Sequence, residues 1–263
     1  MCSSDLAAPM VLPAIVGNVR YDQKWGSAQI MGAAVENKAQ ISRPGLFAAP
    51  GLNTTTVKQW GYAIGAGVKF NLPMIAAGDE LWLQAGWSRG AFDWMISNNT
   101  SAQTSDNGHQ LPGLQRIDRN MTVFGIGGNA GAGGQPVALG SELTTAWQLA
   151  GAFIHYWSPQ LRSVVNASYI DITPGTQTRN TDWSLGGMSK ANAFNIAKAL
   201  IFAPVRDFEI GLEVGYMKLN QTLTGTAGAA PSPLVFSTAV PAGFTARVSP
   251  NVLLLRGRVE RTF

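Results

Sequence analysis

The chain has little of what ordinary soluble and secreted domains are held together with. Its single cysteine, Cys2, excludes an intramolecular disulfide framework and any multi-cysteine metal site. Charged residues amount to 13%, about half the roughly 25% of an average globular domain. The net charge of +4 is small for 263 residues, and the basic residues form neither a block nor a regular interleaving with aromatics, so no nucleic-acid partner is expected. Only two histidines are present, His109 and His155. Neither stands beside a serine in a recognisable nucleophile motif, so no catalytic, cofactor or metal residue is assigned and an enzyme is not expected. The GIGGNA of residues 125–130 formally matches a dinucleotide fingerprint, but more glycine follows it and no helical pattern does, so it reads as loop. Apolar runs are short as well. A spanning helix needs about 18 residues, and the best run, residues 7–17, is broken by Pro9 and Pro13. If this chain enters a membrane, it does so with strands.

The opening MCSSDL has neither the basic region nor the apolar core of a secretory signal. Lipid modification of Cys2 would need an apolar segment ahead of it, where only Met1 stands. Residues 1–6 are therefore expected to be a non-native start on a chain that is incomplete at its front.

What the sequence has in quantity is glycine, 30 residues, and two-residue alternation. Residues 252–263, VLLLRGRVERTF, put Leu253, Leu255, Gly257, Val259 and Phe263 on one side and Leu254, Arg256, Arg258, Glu260 and Thr262 on the other. One side suits hydrocarbon and the other water. A terminal aromatic is unusual for a fraying soluble strand and suits the interfacial girdle of a transmembrane barrel. Similar alternation marks strands at residues 15–22, 25–35, 60–71, 80–90, 147–157, 161–169, 194–203 and 208–218, nine in all. In the third, Tyr62, Ile64, Ala66, Val68 and Phe70 face one way, and Ala63, Gly65, Gly67, Lys69 and Asn71 the other.

The connections alternate short and long along the whole chain. They are short after residues 22, 71, 157 and 203, and long over residues 36–59, about 97–143, 171–193 and 220–246. An outer-membrane barrel has tight periplasmic turns and long external loops, and counting back from a last strand ending in the periplasm puts every short turn on that side. A Greek-key sandwich has no reason to keep this parity. The fold class is all-β, an antiparallel up-and-down transmembrane β-barrel, read as a single domain over residues 1–263.

Four stretches carry a more specific likeness: residues 61–79 (GYAIGAGVKFNLPMIAAGD), 155–163 (HYWSPQLRS), 202–216 (FAPVRDFEIGLEVGY) and 256–263 (RGRVERTF). With them the chain resembles the alphaproteobacterial, rhizobial-type general porins of the outer membrane. The resemblance implies a sixteen-stranded homotrimer in a bilayer with lipopolysaccharide, passing small hydrophilic solutes and ions down their gradients. It makes the nine strands the C-terminal portion of such a barrel, with the family's constriction loop in the part ahead of them. Nine strands alone are not expected to close, because bacterial single-chain barrels carry even numbers.

By the strand phases, Arg20, Lys69, Arg162, Arg256 and Arg258 line the pore with Asp22, Glu80, Glu209, Glu213 and Glu260. Five charges of each sign give no ion preference, and Arg256 with Arg258 form the best candidate for a local basic ladder. Trp87, Trp147, Trp157, Phe208, Tyr216 and Phe263 are expected at the membrane interfaces. Lys198 falls badly, on the outward phase near mid-strand, whereas outward Lys218 and Arg261 lie near strand ends and can snorkel. The alternative reading is a non-porous barrel acting as an adhesin or receptor through its long loops. The many small inward residues argue for an open bore instead.

Overall fold

The computed structural model describes residues 12–41, 55–95, 121–124, 140–176, 179, 190–225 and 244–261. Cys2, residues 1–6, His109, the GIGGNA stretch and Phe263 lie outside the described residues. The chain folds as β1 (Ile15–Gln23), β2 (Gly26–Ile41), β3 (Thr55–Asn71), β4 (Glu80–Arg89), a 3-10 turn η1 (Phe92–Trp94), β5 (Met121–Phe124) and β6 (Gly140–Leu143). There follow β7 (Thr145–Ser158), β8 (Leu161–Thr173), β9 (Ala191–Val205), β10 (Phe208–Gly225), β11 (Phe244–Val248) and β12 (Asn251–Arg261). No helix among the described residues is long and apolar enough to cross a membrane.

One antiparallel sheet takes the strands in the order β1-β2-β3-β4-β7-β8-β9-β10, with β11 and β12 both on the far edge of β10. Pro250, which has no N–H for the ladder, separates the last two, and its carbonyl accepts from Leu219 N–H at 3.1 Å. Together β11 and β12 fill one position, the ninth. This is the nine-strand meander that the alternation predicts. The short strands β5 and β6 pair only with each other.

The strands are longer than their apolar pattern. β2 runs on to Ile41, β3 begins at Thr55 and β10 reaches Gly225, so parts of the stretches read as loop belong to the sheet. Periodicity is visible only where one face is apolar. The backbone ladder continues after both faces turn polar, as in ENKAQI and TTVKQ. Lys218 is consequently inside β10, not near its end. Trp25, expected to open the second strand, sits with Lys24 in the turn before it.

Burial is inverted relative to a water-soluble fold. Val19, Leu253 and Leu255 are more than 70% exposed, while the buried apolar cluster consists of Phe92, Met95, Ala146 and Ile172. Each outer edge of the sheet, along β1 and along β12, has no strand partner among the described residues. Eight antiparallel steps separate these two edges, so β1 and β12 run in the same direction.

Candidate functional site: a polar wall and the strap anchored on it

Register fixes which side chains share a face. On one face Val68 opposes Leu83, Trp87 opposes Trp147, Tyr169 opposes Phe194, Leu200 opposes Leu212, and Val214 opposes Leu255. Aromatics mark both ends of this face. Tyr21, Trp25, Phe70, Trp157, Phe202 and Phe208 lie towards the short turns, and Tyr62, Trp87, Trp147, Tyr169, Phe194 and Tyr216 towards the long connections. Trp25 packs on Phe70 and Trp147 on Tyr169, at centroid distances of 5.6 and 5.2 Å. Eight residues separate Phe70 from Tyr62 and Phe208 from Tyr216, roughly 26 Å along a strand. Tilted at about 40°, that spans roughly 20 Å, close to the apolar band of an outer-membrane barrel. Beyond the far aromatics the same face turns polar, where Asn220 links Asn192 (2.9 Å) and Ser249 (2.7 Å). Lys198 stands on the apolar face between Val165 and Val214, with no ion-pair partner among the described residues.

The other face is small and polar. It carries all ten charges assigned to it from the sequence, and they pair off one to one. Arg20 meets Asp22 at 2.8 Å, Lys69 meets Glu80 at 2.5 Å, and Arg162 grips both oxygens of Glu209 at 2.9 and 2.8 Å. Arg256 lies 3.7 Å from Glu213, and Arg258 is hydrogen-bonded to Glu260. Arg256 and Arg258 are therefore each matched by a carboxylate and do not form a free basic ladder. Trp82, which the strand reading passed over, belongs to this wall. Its Nε1–H donates to Glu80 at 3.0 Å and its ring lies 5.0 Å from Lys69 Nζ. Its place between Glu80 and Gln84 on the even, polar phase was the available signal.

On the turn side, Asp79 is fully buried. It accepts from Tyr156 N–H at 2.9 Å and lies 2.7 Å from His155 Nδ1. Burial pushes this carboxyl up, but the His155 contact and the Tyr156 amide outweigh it and hold Asp79 below the usual carboxylate value. His155 also stacks on Phe153 and meets the edge of Trp157. It is a structural latch between the turn of residues 72–79 and β7.

The connection between β4 and β7 folds onto the polar wall at both ends. Phe92 and Met95 bury against Ala146 and Ile172, whose phase is that of Ser88 and Gln148. Asn37 Nδ2 donates to the Gly90 carbonyl at 2.7 Å, and Gln59 Nε2 to the Ser141 carbonyl at 3.0 Å. Two wall amides thus hold the two legs of a strap. Gly90 adopts φ +69° where it turns inward, and a Cβ on Gly61 would overlap the Gly90 carbonyl and the Asn37 amide. Gly61 is the seat that lets the strap lie this close.

An apolar outer band between aromatic girdles, a polar wall on the opposite side, and short turns at one end make a sheet fitted to separate lipid from water. A sequence model described as "Porin subfamily" matches residues 4–236. No curated protein and no solved structure matches the chain. With the match extending over most of its length, the chain belongs to the porin subfamily, β-barrel channel proteins of the bacterial outer membrane.

Proposed function

We propose that the protein works as a general porin, a water-filled passage for small hydrophilic solutes and ions moving down their gradients. The observation that carries this reading is the polar wall, where glycine, alanine and amide side chains alternate with five ion pairs that neutralise one another. Such a wall offers water contacts without a strong site for either ion sign, which is what unselective diffusion requires. By their phase, Arg20, Asp22, Lys69, Glu80, Arg162, Glu209, Glu213, Arg256, Arg258 and Glu260 are the pore-lining charges of these pairs. The sequence likeness supports placement among the alphaproteobacterial porins, with trimeric assembly and lipopolysaccharide around the polar fringe of Asn192, Asn220 and Ser249.

The open edges along β1 and β12 support a barrel completed by further strands. An exposed sheet edge is untenable in hydrocarbon. Because β1 and β12 run the same way, an all-antiparallel barrel needs an odd number of strands between them, and seven give the sixteen of the resemblance. Two copies of this sheet inserted in the same orientation would leave parallel seams. The chain should be refolded with and without the seven-stranded front portion of a sixteen-stranded porin and placed in planar bilayers. Conductance steps that scale with bulk salt conductivity, and appear only in the mixture, are the expected result. A mixture that closes without conducting would instead favour a non-porous barrel.

A further inference from the structure

A cavity lies beneath the inward-turned root of the strap, residues 90–95. Trp94 and Met95 form its roof, and Asn18, Gln29, Gln84 and Gln148 stand around it on the polar face. Two glycines of the wall border it under neighbouring side chains: Met31 covers Gly65, and Gln148 and Met95 pack over Gly86, where a Cβ would meet them at 3.4–3.5 Å. Among the described lining residues none is ionisable. The nearest wall cation in register, Arg20 opposite Gln29, is turned to Asp22.

This combination selects a class of ligand. Each carboxamide offers both donors and an acceptor, so four of them can meet hydroxyl groups in either sense. Trp94 is half exposed and presents a flat apolar ring beside them. An anion or cation entering here would lose water without gaining a counter-charge. A neutral polyhydroxylated molecule would exchange its water hydrogen bonds for amide ones and lay its C–H face on the indole.

We propose that the cavity between the strap and the polar wall is a binding site for neutral polyhydroxylated solutes of pyranose size, with Trp94 as the stacking platform and Gln29, Gln84 and Gln148 as the hydrogen-bonding groups. The proposal deepens the porin reading by giving the passage a stopping place for one solute class. Its test does not depend on conduction.

The full chain, refolded in detergent micelles together with the seven-stranded front portion that closes its edges, is mixed with methyl β-glucopyranoside, and saturation-transfer NMR reads contact with the sugar protons. Transfer to the ring C–H protons is expected, reduced about tenfold or more in Trp94→Ala and in Gly86→Leu, which crowds Gln148 and Met95 at the edge of the cavity. Glucuronate, the same ring with a carboxylate, is expected to show less transfer than the neutral glycoside. Because Trp94 is half exposed, its removal leaves the sheet intact, and unchanged far-ultraviolet dichroism of each variant checks this. Absent transfer in the wild-type chain, equal transfer in Trp94→Ala, or stronger transfer to glucuronate would each overturn the site. A chain that binds the glycoside here yet never conducts when completed would sink the porin reading and leave the site standing.

Discussion

At Lys198 the outer face breaks its own pattern. Flanked by Val165 and Val214 between the two aromatic girdles, a lysine facing lipid costs about 2–4 kcal/mol at mid-depth. Lys198→Leu is therefore expected to raise the urea midpoint for unfolding from lipid vesicles, the shift multiplied by the m-value giving about 2–4 kcal/mol. A lowered midpoint would show that Lys198 is satisfied by a neighbouring subunit. Asp79 gives a prediction with a pH sign. Its folded value is depressed, so its contribution is complete above the ordinary carboxylate value of about 4 and is lost as pH falls through the lowered one. The protection factor of the Tyr156 amide, its exchange rate relative to the intrinsic rate at each pH, should fall on acidification through that window, and Asp79→Asn should remove most of that change. At this scale the sequence revealed which face each charge occupies, because parity within one strand is enough. It could not reveal the pairs. Arg162 and Glu209 lie 47 residues apart, and their meeting depends on register across three strands, which alternation in any single strand does not contain.

Among the elements, the strap was the least legible. Residues 97–143 read as a long polar tract, and composition gives no hint that its root turns inward. The cause is local: Gly61 leaves room, Asn37 and Gln59 supply the ties, and Phe92 finds a buried seat against Ala146 and Ile172. Asn37 and Gln59 both lie in strand extensions that the apolar period missed. Each tie is worth about 0.5–1.5 kcal/mol. Removing both, in Asn37→Ala with Gln59→Ala, should loosen the strap by about 1–3 kcal/mol, measured as faster hydrogen exchange at the Gly90 amide while exchange in β8 and β9 stays unchanged. Gly61→Val should have the same local effect through overlap. If the Gly90 amide keeps its protection in both variants, the ties are incidental and the Phe92 contact holds the strap alone.

For the whole molecule, neutral pairing makes the selectivity prediction sharper. Replacing Arg256 and Arg258 by Gln frees Glu213 and Glu260 on one wall. The completed channel should then shift towards cations, read as a moved reversal potential in a salt gradient, whereas exchanging the members of the Arg162–Glu209 pair should leave it near its starting value. The architecture as a whole was the most legible level, since nine positions with alternating short and long connections follow from periodicity and turn composition. The odd count has a consequence for access. β1 enters from the long-loop side and β12 leaves on the short-turn side, so an epitope placed just ahead of Ile15 belongs to the cell exterior and one placed after Arg261 to the periplasm. Antibody added to intact cells should see the first and not the second, and a membrane-permeabilised sample should show both.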